Sequence, residues 1–181
     1  NWRAKTVFEK EREAGGVDLP PSSKYEGGFS LGGPIKQDAL HFFVAYDGKK
    51  IDDSRQVVPK ELNRFTTDAG LVGALRARQG STVDPFTEHL FFVKADAQLG
   101  DNRNLSVSMR VRQESDTLPE NRELSLPGND KDRTNDETRL DALHQWTIGP
   151  WQLDTRAGYE KFQWNPKSSA TEPFLKYRVG R

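Results

Sequence analysis

Alternation of apolar and polar residues over long stretches is the feature that most constrains the fold of this chain. Apolar residues occupy every second position in three segments, Phe91–Leu99, Leu105–Val111 and Trp151–Tyr159, with Thr155 as the one exception. Successive side chains of a β-strand point to opposite faces, so each segment has one apolar and one polar face. Helical periodicity is nearly absent, and the pattern therefore predicts an all-β fold.

The same alternation predicts about eight strands, and several of them are unusually long. Strands of globular proteins average about five or six residues, whereas a tilted crossing of a bilayer needs about 9–11. The predicted strands are Arg3–Arg12, Tyr25–Gly33, Ala39–Lys49, Phe86–Leu99, Asn104–Ser115, Glu137–Ile148, Trp151–Asn165 and Phe174–Gly180.

The connections between these strands alternate in length. Tight turns are predicted at Pro34–Asp38, Gly100–Arg103 and Gly149–Pro150. The long polar loops are Glu13–Lys24, Lys50–Pro85, Asp116–Asp136 and Pro166–Pro173. Outer-membrane barrels have short periplasmic turns and long extracellular loops. The order therefore predicts an antiparallel up-and-down transmembrane β-barrel segment. A short helix is predicted within the longest loop, over Thr67–Gly80, with Thr67 or Asp68 as its cap.

The composition is consistent with strands that face lipid on one side and water on the other. Apolar residues make up 34% of the chain and charged residues 30%, with a formal net charge of zero; soluble domains are about 45–50% apolar. The chain lacks the basic excess of a nucleic-acid-binding domain. It also lacks cysteine, which excludes disulfides, zinc–thiolate sites and cysteine nucleophiles.

Aromatic residues near the predicted turns and loops suggest two interfacial girdles. Trp146 and Trp151 flank one tight turn, and Phe42 and Phe43 follow another. The aromatic residues near the long loops are Phe91, Phe92, Phe162 and Trp164. Aromatic side chains gather at both water–lipid interfaces of membrane proteins, so this placement is expected for a barrel.

The predicted strand Glu137–Ile148 alternates imperfectly. His144 falls among its apolar positions and Leu143 among its polar positions. A bulge would explain this mismatch, and so would a register one residue away, because a slip of one residue turns every side chain to the other face.

The segment Tyr25–Lys49, which reads YEGGFSLGGPIKQDALHFFVAYDGK, resembles the Oar-like subset of TonB-dependent outer-membrane receptors. The hairpin residues that carry the resemblance are Gly28, Ser30, Leu31, Gly32, Gly33, Pro34 and Ile35, and the strand residues are Leu40, Phe42, Phe43, Tyr46 and Gly48. His41 and Asp47 stand where this subset commonly has Phe and Glu. A strand–turn–strand similar to that of the family follows, with Phe91, Phe92, Lys94, Asp96, Asp101 and Asn102.

The resemblance implies a place in the outer membrane of a Gram-negative cell and a role in nutrient uptake. Barrels of this family have about 22 strands around an N-terminal plug, and TonB energises transport through that plug. Residues 1–181 are then expected to be part of the barrel domain, without the plug and the remaining strands. The expected partners are outer-membrane lipid, the plug, the other strands and, through the plug, TonB; nucleic acid is not an expected partner.

Charged residues on the polar strand faces are the candidates for contact with the lumen, the plug or a ligand. They are Lys94, Asp96, Arg110, Arg112, Asp154, Arg156 and Glu160. Gly32, Gly33 and Pro34 are predicted to form a structural hairpin. The three histidines, His41, His89 and His144, lie about fifty residues apart and indicate no metal site or catalytic triad. The sequence predicts no enzyme activity and no cofactor.

Two other classes of protein remain open at this point. One is a complete small outer-membrane barrel of about eight strands, acting as a structural protein or an adhesin, whose interior its own side chains would fill. The other is a soluble ligand-binding barrel of the lipocalin kind, in which apolar residues line the interior. The charged strand faces would then have to point to solvent.

Overall fold

A single antiparallel sheet accounts for most of the structure. The computed structural model describes residues 22–57, 68–77, 80–119 and 130–168. Six strands follow one another across the sheet in chain order, and each pairs with the next. They are β1 (Ser23–Lys36), β2 (Leu40–Val57), β3 (Gly80–Gln98), β4 (Arg103–Leu118), β5 (Lys131–Ile148) and β6 (Trp151–Ser168), and helix α1 (Ala69–Arg76) lies between β2 and β3.

The predicted all-β, up-and-down arrangement is thus confirmed for six strands. The other two predicted strands, Arg3–Arg12 and Phe174–Gly180, lie outside the described residues. Within the described ranges β1 and β6 do not pair with each other, so the sheet is not closed. None of the described residues form a helix that is long and apolar enough to cross a membrane.

Short turns connect the strands at one end of the sheet. Gly100 and Gly149 adopt φ of 83° and 55° in two of them, a conformation that glycine adopts without steric cost. The first turn lies later than predicted, because β1 continues through Lys36 and the bend is made by residues 37–39. Asp38 takes the left-handed conformation there, with φ of 57°. Gly32, Gly33 and Pro34 therefore belong to β1, which has a register shift just after Pro34.

The strands are longer than the apolar alternation predicts, so the predicted long loops were too long. β2 continues to Val57 and β3 already begins at Gly80, inside the predicted loop Lys50–Pro85. β4 and β5 likewise extend to Leu118 and back to Lys131. Polar residues form these extensions, where backbone pairing continues and opposite charges face each other across strands. The apolar alternation covers only the part of each strand near the short turns, so it does not reveal the polar extensions towards the loops.

Helix α1 lies where a helix was predicted but ends earlier, at Arg76. Asp68 is its N-cap, and the Asp68 Oδ1 accepts a hydrogen bond of 3.0 Å from the Leu71 backbone N–H. Val72 is the buried residue of the helix.

Strand β5 contains neither a bulge nor a register slip. Its pairing with β4 and with β6 is continuous over the whole strand. Leu143 therefore lies on the polar side of the sheet, opposite Ser106 and Arg156, and His144 lies on the apolar side. The mismatch is a true departure from alternation at these two positions.

Gly28 is a position at which a side chain would disturb the pairing of β1 with β2. A Cβ there would lie 2.4 Å from the Tyr46 carbonyl oxygen, a backbone atom that cannot move aside alone, whereas a Cβ on Gly27 would meet nothing within 4 Å. We expect Gly28→Ala to destabilise the folded protein by about 1–3 kcal/mol and Gly27→Ala to be nearly neutral. Urea unfolding of the two variants checks this, and equal midpoints would contradict it.

Candidate functional site: an apolar and a charged face of one sheet

One face of the sheet is apolar from β1 to β6. Residues directly opposite each other in an antiparallel pair share a face, so the strand registers define complete rows across the sheet. One such row consists of Leu31, Val44, Val93, Met109, Leu140 and Tyr159. The next row towards the turns consists of Gly33, Phe42, Ala95, Val107, Ala142 and Ala157. We call this side the apolar face.

No described residue covers the apolar face. Its large side chains remain between 40% and 60% exposed in the first of these rows, at Leu31, Val93, Met109, Leu140 and Tyr159. Strands are spaced by about 4.8 Å and residues by about 3.3 Å, so the face is about 24 Å wide and, from Trp151 to Tyr159, about 26 Å tall along the strand. An area above about 600 Å² exceeds the few hundred Å² that soluble monomers usually expose. Within the described residues, an uncovered apolar surface of this size is typical of contact with lipid or with a large partner.

The apolar face ends sharply on the side of the long loops. Beyond the row that contains Phe91 and Val111, the next row of the same face consists of Gly27, Gly48, His89, Gln113, Asp136 and Gln163. The row after it consists of Tyr25, Lys50, Thr87, Ser115, Thr134 and Asn165. The strands thus continue beyond the apolar band as a polar ladder. The height of the band is therefore set by the sequence and not by where the strands end.

Aromatic side chains lie at both ends of the apolar face, but only some of the predicted ones are among them. Trp146 and Trp151 lie at the turn end, where the Arg103 guanidinium stacks 4.2 Å from the centre of the Trp146 ring. Phe91 lies at the loop end, and Phe42 is also on this face. The predicted aromatic residues on the opposite face are Phe43, Phe92, Phe162 and Trp164.

The loop-end aromatic cluster is centred on Tyr46. Its ring centre lies 4.9 Å from that of Phe91 and 5.9 Å from that of Phe29. A hydrogen bond of 2.8 Å joins the Tyr46 hydroxyl to His89 Nδ1. A Cβ on Gly48 would lie 2.4 Å from that hydroxyl, so the Tyr46 ring occupies the space over Gly48. These contacts hold the ring in one orientation.

The opposite side, which we call the charged face, carries all seven of the predicted charged residues. Their strand registers place every one of Lys94, Asp96, Arg110, Arg112, Asp154, Arg156 and Glu160 on it. The structure therefore brings them to one surface, as the alternation predicts, but distributes them over three strands. Whether they contact a ligand stays a prediction.

Most of these residues are neutralised by neighbours on the same face. Lys94 Nζ lies 2.9 Å from an Asp96 carboxylate oxygen, and Arg110 forms an ion pair with Glu137. Asp154 accepts hydrogen bonds from two glutamine side chains, at 3.2 Å and 3.4 Å. Arg156 and Glu160 form no ion pair with any described residue, and both lie on β6, where every residue is exposed.

A ladder of alternating charges crosses the charged face beyond the apolar band. Lys49 Nζ lies 4.0 Å from Glu26 on β1 and 3.4 Å from Glu88 on β3. The other oxygen of Glu88 lies 3.1 Å from Arg112 Nε on β4. Each cation thus lies between two anions, and neighbouring strands are joined by opposite charges.

Glu114 is the centre of the ladder on β4 and is only 7% exposed. Arg112 forms an ion pair with its Oε2, while Asn135 Nδ2 donates a hydrogen bond of 3.2 Å to Oε1. Arg133 on β5 lies 3.6 Å from that oxygen and also forms a bidentate ion pair with Asp116. A buried carboxylate needs such partners, because desolvation otherwise disfavours its charged form.

A second cluster ties the chain before β5 back to β2. Arg55 donates hydrogen bonds of 3.0 Å and 2.9 Å to Asp84 on β3, and one of 2.6 Å to Asp130, which is 3% exposed. Strands β3 and β4 lie between β2 and β5, so a flat sheet would separate β2 from β5 by about 14 Å. The contact therefore draws the loop ends of β2 and β5 towards each other on the charged side of the sheet, and not on its apolar side.

Burial raises the pKa of Asp130 above its usual range, and the attraction of Arg55 opposes this only in part. A raised pKa in the folded state means that folding binds protons, so this residue favours the folded state below the unfolded pKa, about 3.9, and less as the pH rises through the folded pKa. We expect the wild type to gain stability relative to Asp130→Asn between pH 7 and pH 4. Urea unfolding of both proteins at each pH measures this difference, and a difference that shrinks on acidification would contradict it.

The residues that sequence reasoning missed are the ladder and clamp residues near the loops. Arg55, Asp84, Glu88, Glu114 and Arg133 were assigned to loops or left unremarked. The parity of β3 and β4, continued past the apolar band, would have placed Glu88 and Glu114 on the charged face. No pattern in the sequence links Arg55 with Asp130, which is 75 residues away.

The histidines do not converge in the structure. His41 lies on the charged face opposite Asp96, whereas His89 and His144 lie on the apolar face. No group of three or more His, Asp or Glu side chains that could hold a metal ion occurs in the part of the chain that the structure describes.

The comparisons with known proteins assign this chain to no family. No protein-family model matches the sequence, and no curated protein is detectably similar to it.

Proposed function

We propose that this chain is a segment of an outer-membrane β-barrel whose apolar face contacts lipid and whose charged face lines the interior. The single observation that carries the proposal is the uncovered apolar face, which spans six strands in register. From Trp151 to Tyr159 it covers nine residues of β6, which agrees with the roughly 9–11 residues that a tilted strand needs to cross a bilayer. Short turns then lie on the periplasmic side and the long connections on the extracellular side.

The Arg55–Asp130 contact supports the charged face as the inner one. It closes the chain over that face at the loop end. A lipocalin-like barrel would have to close in the opposite sense, with the apolar face inside. The charged residues on this face also neutralise each other through ion pairs. This is expected in a water-filled or plugged interior, because buried charges need partners.

Within this class we propose a TonB-dependent receptor of the Oar-like type, which takes up a scarce nutrient across the outer membrane. The resemblance of Tyr25–Lys49 to that family supports this narrower assignment. The plug, the remaining strands and TonB are then the partners of this segment. Arg156 and Glu160 on β6, which form no ion pair within the described residues, are the residues we would first test for contact with plug or ligand.

Growth under nutrient limitation tests the transport function. We expect deletion of the gene to impair growth only on particular scarce iron, cofactor or oligosaccharide sources. Loss of TonB should produce the same defect in a strain that carries the gene, and the double mutant should be no worse. A deletion defect that adds to the loss of TonB would contradict the proposal and favour a structural or adhesive barrel.

A further inference from the structure

A depression in the apolar face lies at its loop end, between β1 and β2. Gly27 and Gly48 are directly opposite each other in the register. The Tyr46 ring covers Gly48, so Gly27 forms the open floor. The depression has a volume of about 520 Å³ and is bordered by Tyr25, Tyr46 and Lys50. A Cβ on Gly27 would meet nothing within 4 Å, so the floor is open.

The two tyrosine side chains that border this depression differ in how firmly their contacts hold them. Tyr46 is fixed by its hydrogen bond to His89 and by its contacts with Phe29 and Phe91. Tyr25 is 67% exposed on the other side of the floor. Two aromatic side chains with a flat glycine floor between them offer ring faces for an apolar or sugar-like moiety, and phenolic hydroxyls for its polar groups.

A cation lies at the outer rim. The Lys50 side chain is 60% exposed and lies 3.9 Å from the Asp52 carboxylate, a weak contact that leaves the ammonium accessible to solvent. Lys50 belongs to the second row beyond the row of Phe29, Tyr46 and Phe91, and lies opposite Tyr25 and Thr87. A lysine at that height can extend its ammonium to the level of the lipid headgroups.

We propose that this depression binds a phosphorylated glycolipid of the outer leaflet, with a sugar ring on the glycine floor, a phosphate at Lys50 and an acyl chain along Phe29 and Leu31. The inference rests on the proposed function, which places the loop end at the outer leaflet. Charge complementarity identifies the occupant. Towards the loops, an apolar strip is followed by two aromatic side chains and then by one accessible cation. This is the order of acyl chain, sugar and phosphate in such a lipid.

Two pairs of variants of the full chain in detergent micelles test the site by native mass spectrometry. Lys50→Gln removes the cation, and Lys161→Gln removes a lysine on the same face of the sheet but on β6. Gly27→Leu fills the floor, and Gly33→Leu adds the same side chain at an equally open glycine near the turns. The probes are diphosphorylated lipid A, monophosphorylated lipid A and phosphatidylglycerol.

We expect Lys50→Gln to weaken binding of diphosphorylated lipid A about fivefold, the effect of one cation near an anionic lipid surface. Gly27→Leu should weaken binding of both forms of lipid A, whereas Lys161→Gln and Gly33→Leu should bind them as the wild type does. Equal binding by all four variants, or a preference for phosphatidylglycerol, would overturn the glycolipid site. Failure of the wild type to insert into lipid vesicles would instead count against the proposed function.

Discussion

Replacing Met109 with arginine is expected to destabilise the membrane-inserted protein by about 2 kcal/mol, because Met109 lies inside the apolar stretch Leu105–Val111 of β4. A cation costs about 2–4 kcal/mol at the middle of a lipid-facing band and less towards its edges. Met109, on β4, is the fourth residue of an entirely apolar row and lies between Val93 and Leu140. None of the described acidic side chains lies on this part of the face, so none of them could serve as a counterion for the new guanidinium. Urea titration of protein folded into vesicles measures the change.

The neighbouring position provides the control. Ser108 points to the charged face and lies opposite Asp141, so Ser108→Arg should change stability by less than about 1 kcal/mol. Ile148→Arg provides a second comparison, because Ile148 lies next to the turn end of the band and the cost falls to about 0–1 kcal/mol near the interface. Equal effects of arginine at positions 108 and 109 would show that the apolar face does not lie against lipid.

Removing the carboxylate of Glu114 is the second large effect that we expect, at about 2 kcal/mol. Truncating one member of a buried ion pair takes a counterion away from its partners, although Arg112 keeps Glu88 and Arg133 keeps Asp116. Arg112 and Arg133 retain partial access to water, so the effect should be smaller than for a fully buried pair. We expect Glu114→Ala to loosen β4 against β5 at the loop end, with faster amide exchange in those strands.

Glu160→Ala is the matched control for this prediction. Glu160 lies on the same face, is exposed, and forms no ion pair with a described residue, so its removal should change stability by less than about 0.5 kcal/mol. Glu114→Gln keeps an oxygen for the Asn135 amide while removing the charge. Its loss of stability should lie between those of Glu114→Ala and Glu160→Ala. A stability loss no greater in Glu114→Ala than in Glu160→Ala would mean that the ladder does not stabilise the sheet.

The two faces of the sheet could be predicted from the sequence because strand geometry alone determines them. A period of two residues assigns each side chain to a face without knowledge of the neighbouring strand. The same rule should have separated Phe42 from Phe43 and Phe91 from Phe92, since adjacent residues of a strand cannot share a face. Proximity to a loop was the wrong criterion for these aromatic girdles.

The ion pairs could not be predicted, because they depend on register between strands. Glu114 meets Arg133 and Asn135 only through the particular alignment of β4 with β5, and a shift of one residue would exchange the faces. The extended polar ends of the strands were missed for a related reason. Backbone hydrogen bonds and cross-strand charges continue the ladder there, and neither leaves an apolar pattern in the sequence.

The most direct test of the account uses single cysteines along β4, which is possible because the chain has no native cysteine. A fluorescent maleimide on each residue from Leu105 to Arg112 would be exposed to nitroxide-labelled lipids in vesicles. We predict strong quenching at Leu105, Val107, Met109 and Val111 and weak quenching at the four intervening positions. Equal quenching at both sets, or quenching at neither, would contradict a sheet with one face in lipid.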